Sequence, residues 1–242
     1  MSIFRFKKFE VVNERSAMKV NTDGVLLGAA MTISKDDCRC LDIGTGTGTV
    51  ALMAAQRLQE CRTEDYSVDA VEIDGPSAEE ASANFMNSPW KDNLKSYHCA
   101  LGSFNDIPQN GYDLIFSNPP YFEDSLPAPE ARRNNARHTA DSLSYRDIFE
   151  FASGSLSVRG RLSLILPSDQ ETDIRRNAGA FGFHLFRIVR VRTVPRKTPC
   201  RIIVEFSRSR CDNPSDTVLT IQNEGKYTEE YLSLTHDFYL FA

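Results

Sequence analysis

Two hydrophobic periods alternate along this chain. Compact apolar runs at 39–44 (RCLDIG), 67–74 (SVDAVEID), 96–100 (SYHCA), 112–117 (YDLIFS) and 160–167 (GRLSLILP) predict strands. Between them, 49–60, 75–87, 144–156 and 169–182 read as helices. The second of these opens on Pro76 and Ser77 and carries Glu79 and Glu80 in its first turn, the signals of a helix start. Two β-rich runs then follow, 184–194 and 200–209, separated only by a short basic segment with two prolines. A connection that short predicts an antiparallel hairpin. Five βα-type units closed by a hairpin define an α/β fold. It is a doubly wound, Rossmann-like, seven-stranded and mostly parallel sheet with a C-terminal antiparallel β-hairpin. The expected organisation is a single domain over 1–242: a strand-and-helix cap segment at 1–35, the α/β core at 36–210 and a C-terminal extension at 211–242.

The fourth strand ends abruptly. In YDLIFSNPPYF (112–122) the apolar run stops at Asn118, Pro119, Pro120 and Tyr121. Two prolines cannot continue a strand, since each lacks the N–H and fixes φ. One reading is a stiff turn. The other is a rigid mount at the carboxyl end of a strand, where ligands bind in such sheets. The Asn118 side-chain oxygen and the Pro119 carbonyl are both acceptors, and together they suit the two N–H donors of a planar amine. Tyr121 would stack on the ring that carries it.

The first strand leads into a glycine turn with Gly44, Gly46 and Gly48. Glycines there permit a tight turn and close approach of a ligand to the backbone. The spacing is G-x-G-x-G rather than G-x-G-x-x-G, and Asp42 stands just before it. An acid in that place suits a cationic ligand, such as a sulfonium carrying an ammonium group, better than a phosphate. Glu72 ends the second strand, where a carboxylate accepts hydrogen bonds from ribose hydroxyls; Asp74 competes for the role. Together these features point to a nucleoside-binding α/β protein.

Composition narrows the setting. Hydrophobic residues make up 41% and charged residues 25% of 242, as in soluble globular proteins. No apolar run is long enough to span a membrane, and the basic N-terminus has no apolar stretch after it to make a signal peptide. The six cysteines form no C-x-x-C pair and mostly sit in apolar runs, and the four histidines are scattered. A reduced, cytoplasmic protein without disulfides or a metal site is expected. Net charge is −5, yet residues 130–210 hold 16 Lys and Arg against 8 Asp and Glu, leaving −13 elsewhere. That asymmetry fits a basic binding face on an acidic protein, or a solvated surface.

Asn-Pro-Pro-Tyr after strand four, with the glycine turn after strand one, resembles the class I S-adenosylmethionine-dependent methyltransferases that modify exocyclic or amide nitrogens. FKKFEVVNERSAMKVNTDGVLLGAA (6–30) resembles the N-terminal signature of the bacterial tRNA1(Val) adenine-37 N6-methyltransferases, and YTEEYLSLTHDFYLFA (227–242) resembles their C-terminal ending. The similarity thus covers nearly the whole chain, with one departure: Asn21 stands where a glycine is expected. The resemblance implies S-adenosylmethionine as cofactor, tRNA, through its anticodon stem-loop, as partner, and a monomer. It implies Asn118, Pro119, Pro120 and Tyr121 as the catalytic set. It also places Lys19, Thr22, Asp23 and Gly24 at the cofactor's methionine end. Ser103 and Phe104 are the candidates beside the cofactor's adenine. Arg132, Arg133 and Arg137 in the loop after the motif, and Arg190, Arg192, Arg196 and Lys197 around the hairpin, are the candidate RNA contacts. Rival readings are methylation of an rRNA guanine or a protein glutamine, a nicotinamide-dependent oxidoreductase, and a non-catalytic RNA-binding protein.

Overall fold

The computed structural model describes residues 2–16, 18–61, 65–120 and 143–242. An N-terminal hairpin, β1 (Ile3–Arg5) and β2 (Glu10–Val12), leads into helix α1 (Thr22–Ala30). The alternating core follows: β3 (Arg39–Ile43), α2 (Thr49–Cys61), β4 (Ser67–Glu72), α3 (Gly75–Met86), β5 (Leu94–His98) and β6 (Tyr112–Ser117). After it come α4 (Tyr145–Ser155), β7 (Leu156–Pro167), α5 (Glu171–Ala180) and the hairpin β8 (His184–Arg192) and β9 (Arg201–Ser207). The chain closes with β10 (Ser215–Thr220), a small hairpin at 222–227 and α6 (Glu229–Thr235).

The central sheet runs β10-β8-β9-β7-β6-β3-β4-β5. Only β9 is antiparallel to its neighbours; β10 lies parallel to β8, from Ser215 beside Arg187 to Thr220 beside Arg192. Among the described residues the sheet therefore has eight strands, one more than the sequence pattern predicts. The extra strand is an edge, its first four residues are exposed, and so its apolar signal is weak. The third core strand also lies slightly earlier than 96–100, because the buried residue that anchors it is Leu94.

Side-chain alternation divides the core into two layers. Cys40, Val68, Ala70, Leu114, Phe116 and Ile203 face α1 and α2, with the N-terminal phenylalanines Phe6 and Phe9. Leu41, Ile43, Val71, Ile115, Leu164 and Val204 face α4 and α5, against Ile148, Phe149 and Ile174. With β3 between β4 and β6, the chain reverses direction of travel across the sheet beside β3. A crevice opens there at the carboxyl ends of the strands.

Candidate active site

That crevice is a cleft of about 520 Å³, within the range of small-molecule sites. Its floor is the turn from β3 to α2. Gly44, Gly46 and Gly48 all have positive φ, at 69°, 56° and 81°, which a side chain would strain. At Gly48 the need is also steric: a Cβ would come within 2.5 Å of Phe85 Cε1. The amides of Gly44 and Thr45 bond to the Val71 carbonyl at 2.8 and 3.2 Å, which ties the turn to β4.

Two acids stand beside the turn. Asp42 is buried and lines the cleft, accepting a hydrogen bond from Thr45 Oγ1 at 2.7 Å. Burial raises its pKa to about 7; the Thr45 hydroxyl opposes this and the nearby Glu72 charge adds to it. Glu72, at the end of β4, accepts from the Gly46 amide at 2.8 Å and the Asp74 amide at 3.0 Å. Each oxygen keeps a lone pair for a further donor. Asp74 lines the cleft as well, but it is the N-cap of α3, and hydrogen bonds from Ser77 hold its carboxyl below the usual range.

Asn118 faces these acids from the end of β6, the strand next to β3. The Ser117 hydroxyl donates to the Ile43 carbonyl at 2.7 Å and locks the two strand ends together. Pro119 is buried and Pro120 exposed on the rim. Asn118 Nδ2 lies 3.9 Å from Met18 Sδ, and a Cβ on Gly24 would stand 3.9 Å from the same nitrogen. Tyr121 lies outside the described residues.

The N-terminal signature forms the remaining wall, through Ser16, Met18, Lys19, Val20, Asn21 and Gly24. Asn21, the departure from the expected glycine, caps α1: its side chain accepts from the Gly24 amide at 2.8 Å. Lys19 lines the cleft, but its ammonium donates to the Asn13 and Glu14 carbonyls, both at 2.8 Å. Thr22 and Asp23 do not line the cleft. Thr22 opens α1 toward solvent, and Asp23 pairs with Arg201 at 2.8 Å. Beyond β5 the lining runs through Cys99, Ala100, Leu101 and Gly102. Ser103 and Phe104 follow directly and do not line the cleft. Phe104 is buried and packs edge-on against Tyr97 at 4.9 Å. The early end of β5 is the signal that brings 99–102 to the crevice.

The basic segment divides differently from the expected stripe. Arg190 bonds to Glu171 at 2.7 Å and Asp216 at 2.9 Å, and Arg192 to Thr220 Oγ1 and the Pro195 carbonyl. Arg187 is held by Glu205 and the Ala30 carbonyl. Much of the positive excess thus serves internal ion pairs. Arg196 and Lys197 are exposed in the β8–β9 turn, without ion pairs among the described residues. Because β8 runs parallel to the core strands, that turn lies on the same sheet edge as Asn118. Arg132, Arg133 and Arg137 lie outside the described residues.

A glycine turn, a strand-end carboxylate, a buried acid and a cleft of nucleoside size suit S-adenosylmethionine. The molecule is an S-adenosylmethionine-dependent methyltransferase of class I. Residues 16–172 match the family model of the methyltransferase small domain. The chain is 39% identical over 238 residues to the tRNA1(Val) (adenine(37)-N6)-methyltransferase of Flavobacterium psychrophilum, covering 98% of this chain and 99% of that one. It is 40% identical over 241 residues to the enzyme of the same name from Bacteroides fragilis, covering 98% and 97%. The chain belongs to this family of bacterial tRNA1(Val) (adenine(37)-N6)-methyltransferases. Solved structures agree on the fold. A predicted O-methyltransferase from Agrobacterium tumefaciens superposes with a TM-score of 0.67 at 20% identity, over 89% of this chain and 96% of that one. A precorrin-6y C5,15-methyltransferase from Geobacter metallireducens gives 0.54 at 15%, over 82% and 93%. Among the described residues no helix is long and apolar enough to cross a membrane.

Proposed function

We propose that this protein methylates the exocyclic N6 of adenine 37, beside the anticodon, in tRNA1(Val). The observation that carries the reading is the placement of Asn118 and Pro120 on the cleft wall, at the end of the strand adjoining Asp42. Near-full-length similarity to relatives bearing that name supports the choice of amine over an rRNA guanine or a protein glutamine.

S-adenosylmethionine supplies an electrophilic methyl group on a sulfonium. The chain's own residues prepare its acceptor. An adenine amine has its lone pair delocalised into the ring and is a poor nucleophile. Hydrogen bonds from its two N–H groups to Asn118 Oδ1 and the Pro119 carbonyl favour a tetrahedral nitrogen with a localised pair and stabilise the positive charge that develops there. Pro119 and Pro120 fix these acceptors, so little orientation entropy is lost at the moment of transfer. Tyr121 is assigned to stacking on the base. The methylated nitrogen loses its extra proton to water without a strong base.

On the other side of the cleft, Glu72 would hold the ribose, and the side-chain-free glycine turn would let the amino-acid tail approach the backbone closely. Asp42 would face the ligand's positive charge. Ile73 and Leu101 supply apolar walls for the cofactor's adenine. Arg196 and Lys197, with Arg132, Arg133 and Arg137, are assigned to the RNA backbone. The test is mass spectrometry of nucleosides from tRNA incubated with the enzyme and S-adenosylmethionine. N6-methyladenosine at position 37 is expected; methyl groups found on protein or rRNA instead overturn the assignment.

A further inference from the structure

The wall of the cleft that includes Met18 and Lys19 is not a regular element. Its described residues are irregular, with bends at Glu14, Arg15, Met18 and Val20, and α3 holds the part before Met18 from behind. Glu80 is 4% exposed on α3, and among the described residues no cation pairs with it. Its two oxygens accept three consecutive backbone amides: Glu14 at 2.7 Å, Arg15 at 2.9 Å and Ser16 at 3.0 Å. One turn on, Asn84 is 1% exposed. Its side chain accepts from the Val12 amide at 2.8 Å, and its Nδ2 donates to the Val12 carbonyl at 3.0 Å and the Thr47 carbonyl at 2.9 Å. Thr47 belongs to the glycine turn. Asn84 therefore bonds the N-terminal strand and the floor of the cleft at once. Between them Ser77 donates to Ser16 Oγ at 3.0 Å, and Phe85 covers Gly48.

We propose that Glu80 and Asn84 are positioning residues for the methyl donor. Neither lines the cleft. Together they join two walls that are far apart in sequence, residues 12–16 and the turn 44–48, into one preformed surface. A carboxylate that accepts three backbone amides replaces their hydration, so these amides need no water in the closed wall. Without it the segment before Met18 must be ordered anew each time a ligand binds, and affinity falls by that ordering cost. Asn118 sits on the separate β6 mount, so chemistry at saturating cofactor is retained. The proposal rests on S-adenosylmethionine filling this cleft.

The test compares Glu80→Ala, Glu80→Gln and Asn84→Asp with the parent enzyme. Exposed Glu79→Ala, which loses only the Arg15 ion pair, is the control. S-adenosylhomocysteine affinity is measured by calorimetry, and KM for the cofactor and kcat by methyl incorporation into tRNA. Glu80→Ala is expected to weaken affinity and raise KM about tenfold or more, since charge-assisted hydrogen bonds are lost, with kcat nearly unchanged. Glu80→Gln keeps one carbonyl acceptor and should fall between. Should Glu80→Ala fail to fold, Glu80→Gln and Asn84→Asp carry the same expectation. Unchanged affinity in folded variants, or a loss of kcat at unchanged KM, overturns the proposal. Failure of the parent to bind S-adenosylhomocysteine would instead overturn the assignment of the cleft itself.

Discussion

Replacing Asp42 by asparagine removes a charge that the fold holds away from water. Burial moves the carboxyl from 3.8 to about 7. A carboxylate whose folded pKa is raised contributes stability that is complete below its unfolded pKa and is lost as pH rises through the folded one. Each unit is worth about 1.4 kcal/mol, so the ligand-free protein loses about 3.4 kcal/mol from this group between pH 4 and pH 7. A cation in the cleft would stabilise the ionised acid and offset this loss. Asparagine cannot ionise and keeps an acceptor for Thr45. The stability difference between Asp42→Asn and the parent should therefore widen by about 2 units' worth, about 2.7 kcal/mol, from pH 5 to pH 8. For a protein of this size that is about 5–10 °C in Tm. Thermal melting of both proteins across this range, without ligand, is the assay. Affinity of the parent for S-adenosylhomocysteine should also rise with pH through about 7, and that of the variant should not. Parallel melting curves at every pH would refute the reasoning, because they would mean that Asp42 is ionised at no cost in the empty cleft.

Asn118→Ala should reduce kcat by about 10²- to 10³-fold, the usual cost of losing one acceptor or donor aimed at developing charge, while calorimetric binding of S-adenosylhomocysteine stays close to that of the parent. Gly48→Ala should cost about 2–4 kcal/mol in urea unfolding, because a side chain at positive φ is strained and its Cβ would strike Phe85. Neutralising Arg196 and Lys197 together should lower the salt dependence of tRNA binding by about 1.5–2 in log–log slope. Arg190→Gln should leave that slope unchanged and lower Tm, because its guanidinium is already engaged by Glu171 and Asp216.

Much of the architecture was legible along the chain. Strands such as YDLIFS and GRLSLILP are buried on both faces, so their apolar runs are continuous and their ends are sharp. The glycine turn was equally plain, because only glycine tolerates three left-handed φ values in five residues. The edge strand β10 was not, since a half-exposed strand carries little apolar signal. Nor was the fate of the arginines. A run of basic residues at alternating positions looks the same whether it faces phosphate or the acids of a neighbouring element. Glu171 and Asp216, which decide the matter for Arg190, lie 19 positions before it and 26 after it.

The sequence by itself determined the class of fold, the glycine turn and the strand-end motif, because each is a local demand: a period, a positive φ, a proline that cannot pair. Only the tertiary structure decided which carboxylates face the cleft and which hold the backbone in place. Asp23 and Glu80 are both acids in the first half of a helix, yet one pairs with Arg201 and the other accepts three amides of a segment 64 residues or more away. The partner of a charge is set by what packs beside it, and packing is not written in the neighbours along the chain.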